Sequence, residues 1–170
     1  MTTILPTAAD EAHFWALIES AWATLGDEPA RLRAELLAPP PGADLCAIDA
    51  WLDRFLEQLT ADCADLSAQE LTALDRVLER KLYDIDREDI HEATDGSDDG
   101  FLYARGHIVA LGRAYYEAVS ADPRLAIMDA YCEVMCYFFT HLHEKRFGDW
   151  PRTGSGISRE SGRNRAGWNH

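Results

Sequence analysis

The sequence is short of positive charge. Lysine and arginine number 16 against 30 aspartates and glutamates, a formal net charge of −14. Arg152, Arg159, Arg163 and Arg165 stand with Glu160 in residues 151–170, a local balance of +3 that leaves −17 on the rest of the chain. Such an acidic body repels phosphate backbones and anionic membrane surfaces, which argues against nucleic acid and membrane as partners. Long apolar runs are missing too. No stretch reaches the length that spans a bilayer, and the opening MTTILPTAADEAHFW has neither a basic leader nor an apolar run of signal length. Cysteine is sparse, at four residues (Cys46, Cys63, Cys132 and Cys136), and without an export signal these read as reduced thiols in the cytoplasm.

Catalytic and metal motifs are also missing. There is no GxSxG elbow and no cysteine beside an obvious base. GSGISRESG lacks the lysine and the preceding strand of a phosphate loop, and HEATD (His91 to Asp95) lacks the second histidine of a zincin. DGSDDG imitates a calcium loop, with Asp95, Ser97 and Asp99 at alternate positions before Gly100. The glutamate such a loop needs at its twelfth position is replaced by Gly106, so the stretch reads as a helix cap with turn residues. Cys132, Cys136 and His143 return to one helix face, but a metal would need a further ligand, and Phe138 and Phe139 suit a buried thiol face better. Neither a metal nor a cofactor is expected.

What remains is helix. A chain of 170 residues, 47% hydrophobic and 27% charged, suits one soluble domain with a single core. DEAHFWALIESAWATLG places Phe14, Ile18, Trp22 and Leu25 on one stripe, with Asp10 as a plausible N-cap and Gly26 as the stop. DEPARLRAELLA follows, ended by Pro39 to Gly42, and ADLCAIDAWLDRFLEQLT sets Ile48, Trp51, Leu52, Phe55 and Leu59 on a face. Ser67 and Glu70 form a capping-box signature ahead of Leu71, Leu74, Leu78 and Leu82. Beyond a broken acidic stretch, one helix is expected from Asp99 to about Ser120 and a last one from Asp122 through LAIMDAYCEVMCYFFTHLHEKRFG. PRTGSGISRESGRNRAGWNH has no periodicity and reads as a disordered tail rather than a strap ordered by a ligand. The expected fold is therefore all-α: a single compact domain over 1–150 with about six to seven helices, then a basic, flexible tail over 151–170.

One residue interrupts this pattern. Counted at about 100° per residue from Phe101, Ile108, Gly112 and Val119 return to one direction, and Arg105 falls in the middle of their stripe. A guanidinium buried there demands a carboxylate, carbonyls or a bound anion. Asp98 or Asp99, at the helix start, is the expected partner. Gly112, costly inside a helix, marks a place where a helix or ligand comes close.

DDGFLYARGHIVALGRAYYEAVSADP resembles the signature of the bacterial domain-of-unknown-function family 4240. The resemblance rests on Asp98, Asp99, Gly100, Phe101, Arg105, Gly112, Tyr116, Asp122 and Pro123, and on Phe14, Trp15, Leu17 and Ile18 in the first helix. It departs at Ala104, where the family pattern has phenylalanine, and at His107, where it has tryptophan. The resemblance implies a mainly helical bacterial domain. It supplies no reaction and no catalytic residues.

Two functions fit these residues. The first is a non-enzymatic cytoplasmic domain acting through protein–protein contact, as an adaptor, regulator or immunity-type partner, its acidic body complementary to an electropositive protein. The alternative is a binding protein or enzyme for a small anionic ligand, with a pocket around Arg105 and the acidic segment 84–99. The candidate binding residues are Arg105, Asp98, Asp99, Trp15 and Tyr116. A deep polar pocket would favour the second reading, and an acidic or apolar surface patch the first.

Overall fold

Thr7 accepts a hydrogen bond from the Asp10 amide while the Asp10 carboxylate accepts one from the Thr7 amide, a reciprocal cap that starts the first helix. Asp10 is thus the third residue of the helix and not its N-cap. The computed structural model describes residues 2–94 and 96–169, so the Asp95 position of the calcium-like loop lies outside the described residues. Among them the chain forms nine α-helices: α1 (Ala8–Thr24), α2 (Asp27–Glu35), α3 (Leu52–Asp62), α4 (Ala68–Asp84), α5 (Glu88–Thr94), α6 (Asp98–Ala110), α7 (Arg113–Ala121), α8 (Glu133–Cys136) and α9 (Phe138–Phe147). Short 3-10 turns lie at Ala47–Trp51, Pro123–Leu125 and Arg165–Gly167. The class is all-α as expected, with more and shorter helices than the periodicity suggested. The capping box at Ser67 and Glu70 opens α4 as the sequence indicated.

The core follows the apolar stripes. α1 packs on α3 and α4, α4 on α9, and α6 on α8. Phe14, Ile18 and Trp22 are buried, and the Trp22 ring stacks on Phe55 at 4.5 Å between centroids. The Trp22 indole N–H donates to the carbonyl of Ala110 at 2.8 Å, which satisfies a terminal carbonyl of α6. α6 itself is buried on nearly every side, from Phe101 to Ala110 with Tyr103 the less covered exception. A helix covered all round must give each polar member its own partner. Gly106 is what lets α8 approach: a Cβ there would lie 2.6 Å from both the Cys132 carbonyl oxygen and the Cys136 sulfur.

Two expected helices are broken. The helix foreseen from Asp99 to Ser120 divides at Gly112, whose φ of +98° suits glycine and ends α6. A Cβ at Gly112 would also collide with the Glu19–Arg33 ion pair, so the glycine marks both a break and a close approach. The helix foreseen from Asp122 is reduced to a 3-10 turn, an irregular run over 126–132 that turns at 128–129, and then α8 and α9.

The largest correction concerns the C-terminal segment. Residues 151–169 do not hang free; they run back over the body as an irregular strap. Its Arg159 is buried, its Ser155 hydroxyl donates to Glu79 at 2.6 Å, and its Trp168 packs on His91 and Phe101. Apolar periodicity is blind to such a segment because main-chain and polar contacts hold it.

Candidate functional site

Two features of the molecule bear on function: a buried polar seam beneath the strap and an open cleft at the start of α6. The seam begins at the C-terminal end of α4, where the last carbonyls have no partner within the helix. Tyr116 donates its hydroxyl to the carbonyl of Lys81 at 2.8 Å, Arg105 Nη1 donates to Leu82 at 2.8 Å, and Asn164 Nδ2 donates to Tyr83 at 3.0 Å. A guanidinium there also meets the negative end of the helix dipole. Arg105 Nη2 turns to the strap, donating to the Arg159 carbonyl at 2.8 Å and the Ser161 hydroxyl at 3.2 Å.

Arg105 is therefore held by carbonyls and a hydroxyl, not by Asp98 or Asp99 as the sequence suggested. Those two aspartates lie exposed at the start of α6, where the Ser97 side chain caps the helix. Asp98 joins the seam only through its main-chain oxygen, which accepts from Ser161. Burial pushes the Arg105 guanidinium below its ordinary pKa, and the Asp86 carboxylate offsets part of that.

Asp86 anchors the strap. Its side chain is fully buried and accepts from the amides of Gly162 at 2.9 Å, Arg163 at 2.7 Å and Asn164 at 2.9 Å, and from the Trp168 indole at 3.1 Å. Successive backbone N–H groups converging on one carboxylate make a concave anion cradle, here occupied by the protein's own side chain. A second anchor lies at Asp75, also buried, which receives Arg159 and the Thr140 hydroxyl, with Glu79 3.3 Å from the same guanidinium. Burial pushes the Asp75 carboxyl upward against the pull of Arg159. Sequence reasoning missed Asp75, Asp86 and Arg159. The signal for the first two was present: each stands four residues beyond a buried leucine of the α4 stripe, Leu71 and Leu82.

The remaining candidates are structural neighbours of this seam. Trp15 and Tyr116 are buried together with ring centroids 5.3 Å apart. His107, the other departure from the family pattern, faces away from Arg105 and meets Asp49 at 2.8 Å. Cys132 and Cys136 are buried free thiols pushed up to about 11 and about 12 by desolvation. Among the described residues no three His, Cys, Asp or Glu side chains are grouped to hold a metal, and no helix is long and apolar enough to cross a membrane.

The cleft lies on the opposite flank of α6 from the seam. It encloses about 390 Å³ between the end of α5, the first turns of α6 and the irregular segment 126–132 with the start of α8, with Thr94, Tyr103, Ala104, Ala130 and Tyr131 in its walls. Among the described residues Asp129 and Glu133 are its charged members, and no basic side chain lines it. Backbone bonds from Cys132 to Tyr103 at 3.0 Å and from Asp129 to Thr94 at 3.4 Å hold the segment in place. Ala104, where the family pattern has phenylalanine, is one wall of this space. Arg105 does not line it.

A family model described as "Protein of unknown function (DUF4240)" matches residues 9–140. No curated protein and no solved structure gives a significant match. The matched region carries Asp75, Asp86, Arg105 and the cleft, and it ends before the strap. The chain belongs to the DUF4240 family.

Proposed function

We propose that this is a cytoplasmic helical domain that works through protein–protein contact, as an adaptor, regulator or immunity-type partner, and that the cleft face is the contact surface. One observation carries the reading. Met128, Tyr131 and Val134 stand 60%, 69% and 55% exposed on a single short segment at the edge of the cleft. Exposed apolar side chains gathered at one place, with carboxylates beside them, are the composition of an interface core and its rim. The net charge of −14 favours an electropositive partner and would speed its encounter. An anion pocket around Arg105 has less support, because both terminal nitrogens of that guanidinium are spent on protein acceptors and the strap covers it.

The test is recovery of partners from a lysate of the native host by the tagged chain and by Tyr131→Ser, which removes the aromatic contact without adding charge. Tyr131 is exposed, so the variant should melt with the wild type. The expected result is a protein retained by the wild type and lost from the variant, with the loss more complete at high salt. Equal recovery by both proteins would overturn the reading.

A further inference from the structure

We propose that the cleft between α5, α6 and segment 126–133 is a receptor pocket for an arginine side chain presented by the partner. The inference rests on the contact reading above and names the chemistry of what is bound. The walls at Thr94, Ala104 and Ala130 are small, which leaves room for an aliphatic stem. Two tyrosines, Tyr103 and Tyr131, line the same space, and a planar guanidinium stacks on aromatic faces where a strongly hydrated ammonium does so less well. Asp129 and Glu133 supply acceptors for its donors, and neither carboxylate makes an ion pair among the described residues. Glu133 is near enough to the Tyr103 hydroxyl to raise its pKa, so the charge reaches into the cleft. Asp129 holds a φ of +58°, a conformation aspartate tolerates better than most residues, which fixes where the segment turns at the rim. The cleft gives the shape, and the carboxylates give the sign.

The experiment is an NMR titration of the full chain with Nα-acetyl-L-arginine amide, with the norleucine and lysine amides as uncharged and ammonium counterparts. The arginine amide should shift resonances of 94–104 and 129–133 with a Kd on the order of millimolar, as befits so small a probe. Glu133→Gln, at the exposed first position of α8, should weaken binding roughly fivefold. Ala104→Phe should abolish it by filling the cleft. Equal binding of the norleucine amide would overturn the proposal in favour of an apolar groove, and tighter binding of the lysine amide would overturn the choice of guanidinium. Shifts spread over other acidic surfaces and unchanged in Glu133→Gln would show general charge attraction and also refute it. If Tyr131→Ser loses its partner while the arginine amide finds no cleft, the pocket alone fails. If the arginine amide binds the cleft but no partner depends on Tyr131, the contact reading alone fails.

Discussion

Asp86 is a single side chain with four donors converging on it, and the two carboxylate oxygens share them evenly. Gly162 and Trp168 donate to Oδ1, and Arg163 and Asn164 donate to Oδ2. Asparagine cannot copy this, because one end of its amide would point N–H groups at N–H groups. Asp86→Asn should therefore cost about 3–5 kcal/mol, through two unsatisfied amides and the loss of the charge that offsets Arg105, read as a fall in the urea midpoint at unchanged slope. A change below about 1 kcal/mol would mean the cradle contributes little, as an exposed pair would. Residues of this kind were half legible in the sequence. Arg105 announced itself by interrupting an apolar stripe and Asp75 interrupts that of α4 in the same way, whereas Asp86 lies two residues beyond the end of that helix. Their partners were not legible: Asp75 meets Arg159 across 84 positions and Asp86 meets Gly162 across 76. No local pattern relates positions that far apart.

Helices with a clean stripe and a cap were readable, and the elements that failed did so for identifiable reasons. α6 shows no polar face, so its end had to be inferred from Gly112, which looked like a tight contact within a helix and proved to be a tight contact at a break. The irregular run before α8 carries apolar residues that suit a helix, yet Met128 and Tyr131 face solvent. The strap has no stripe to read. Its hold on the body predicts that a chain ending after Trp150 is destabilised by about 3–5 kcal/mol, since the charge-assisted hydrogen bonds between the strap and Asp75, Asp86 and Arg105 are exchanged for bonds to water. Thermal and urea unfolding of the shortened chain, compared with the full one, measure this directly. An unchanged melting temperature would mean that the strap lies on the body without stabilising it.

At the scale of the whole molecule, the interior holds three thiols that cannot ionise in place. Burial pushes Cys63 to about 12, Cys132 to about 11 and Cys136 to about 12, from an ordinary value of 9.0. The sign follows from which state loses its protons first. Above pH 9 the unfolded chain releases these protons and the folded one keeps them, so the folded state binds more protons and stability falls as pH rises. Each thiol contributes at most about 1.4 kcal/mol per pH unit between its unfolded and folded values, so the three together should give a slope of about 3 kcal/mol per unit near pH 10. Tyr115 and Tyr116, pushed up by the same burial, add to the loss above it. Stability below pH 8 should not depend on them. Urea titrations between pH 9 and 10, repeated with Cys63→Ala, should show the slope fall by up to about a third; an unaltered slope would place the alkaline loss elsewhere.

The strap also orders events in time. As a chain is synthesised, residues 1–150 are available before Arg159 and the 162–164 amides that complete the seam. Until those arrive, Asp75, Asp86 and Arg105 lack the partners that the strap supplies, and water stands in for them. Closing contacts over 76 and 84 positions is slow to begin and comes after the local helices have formed. Docking of the strap is thus a late step. Interactions that form late act on the rate of opening more than on the rate of folding, so the strap sets how long a folded molecule lasts rather than how fast it is made.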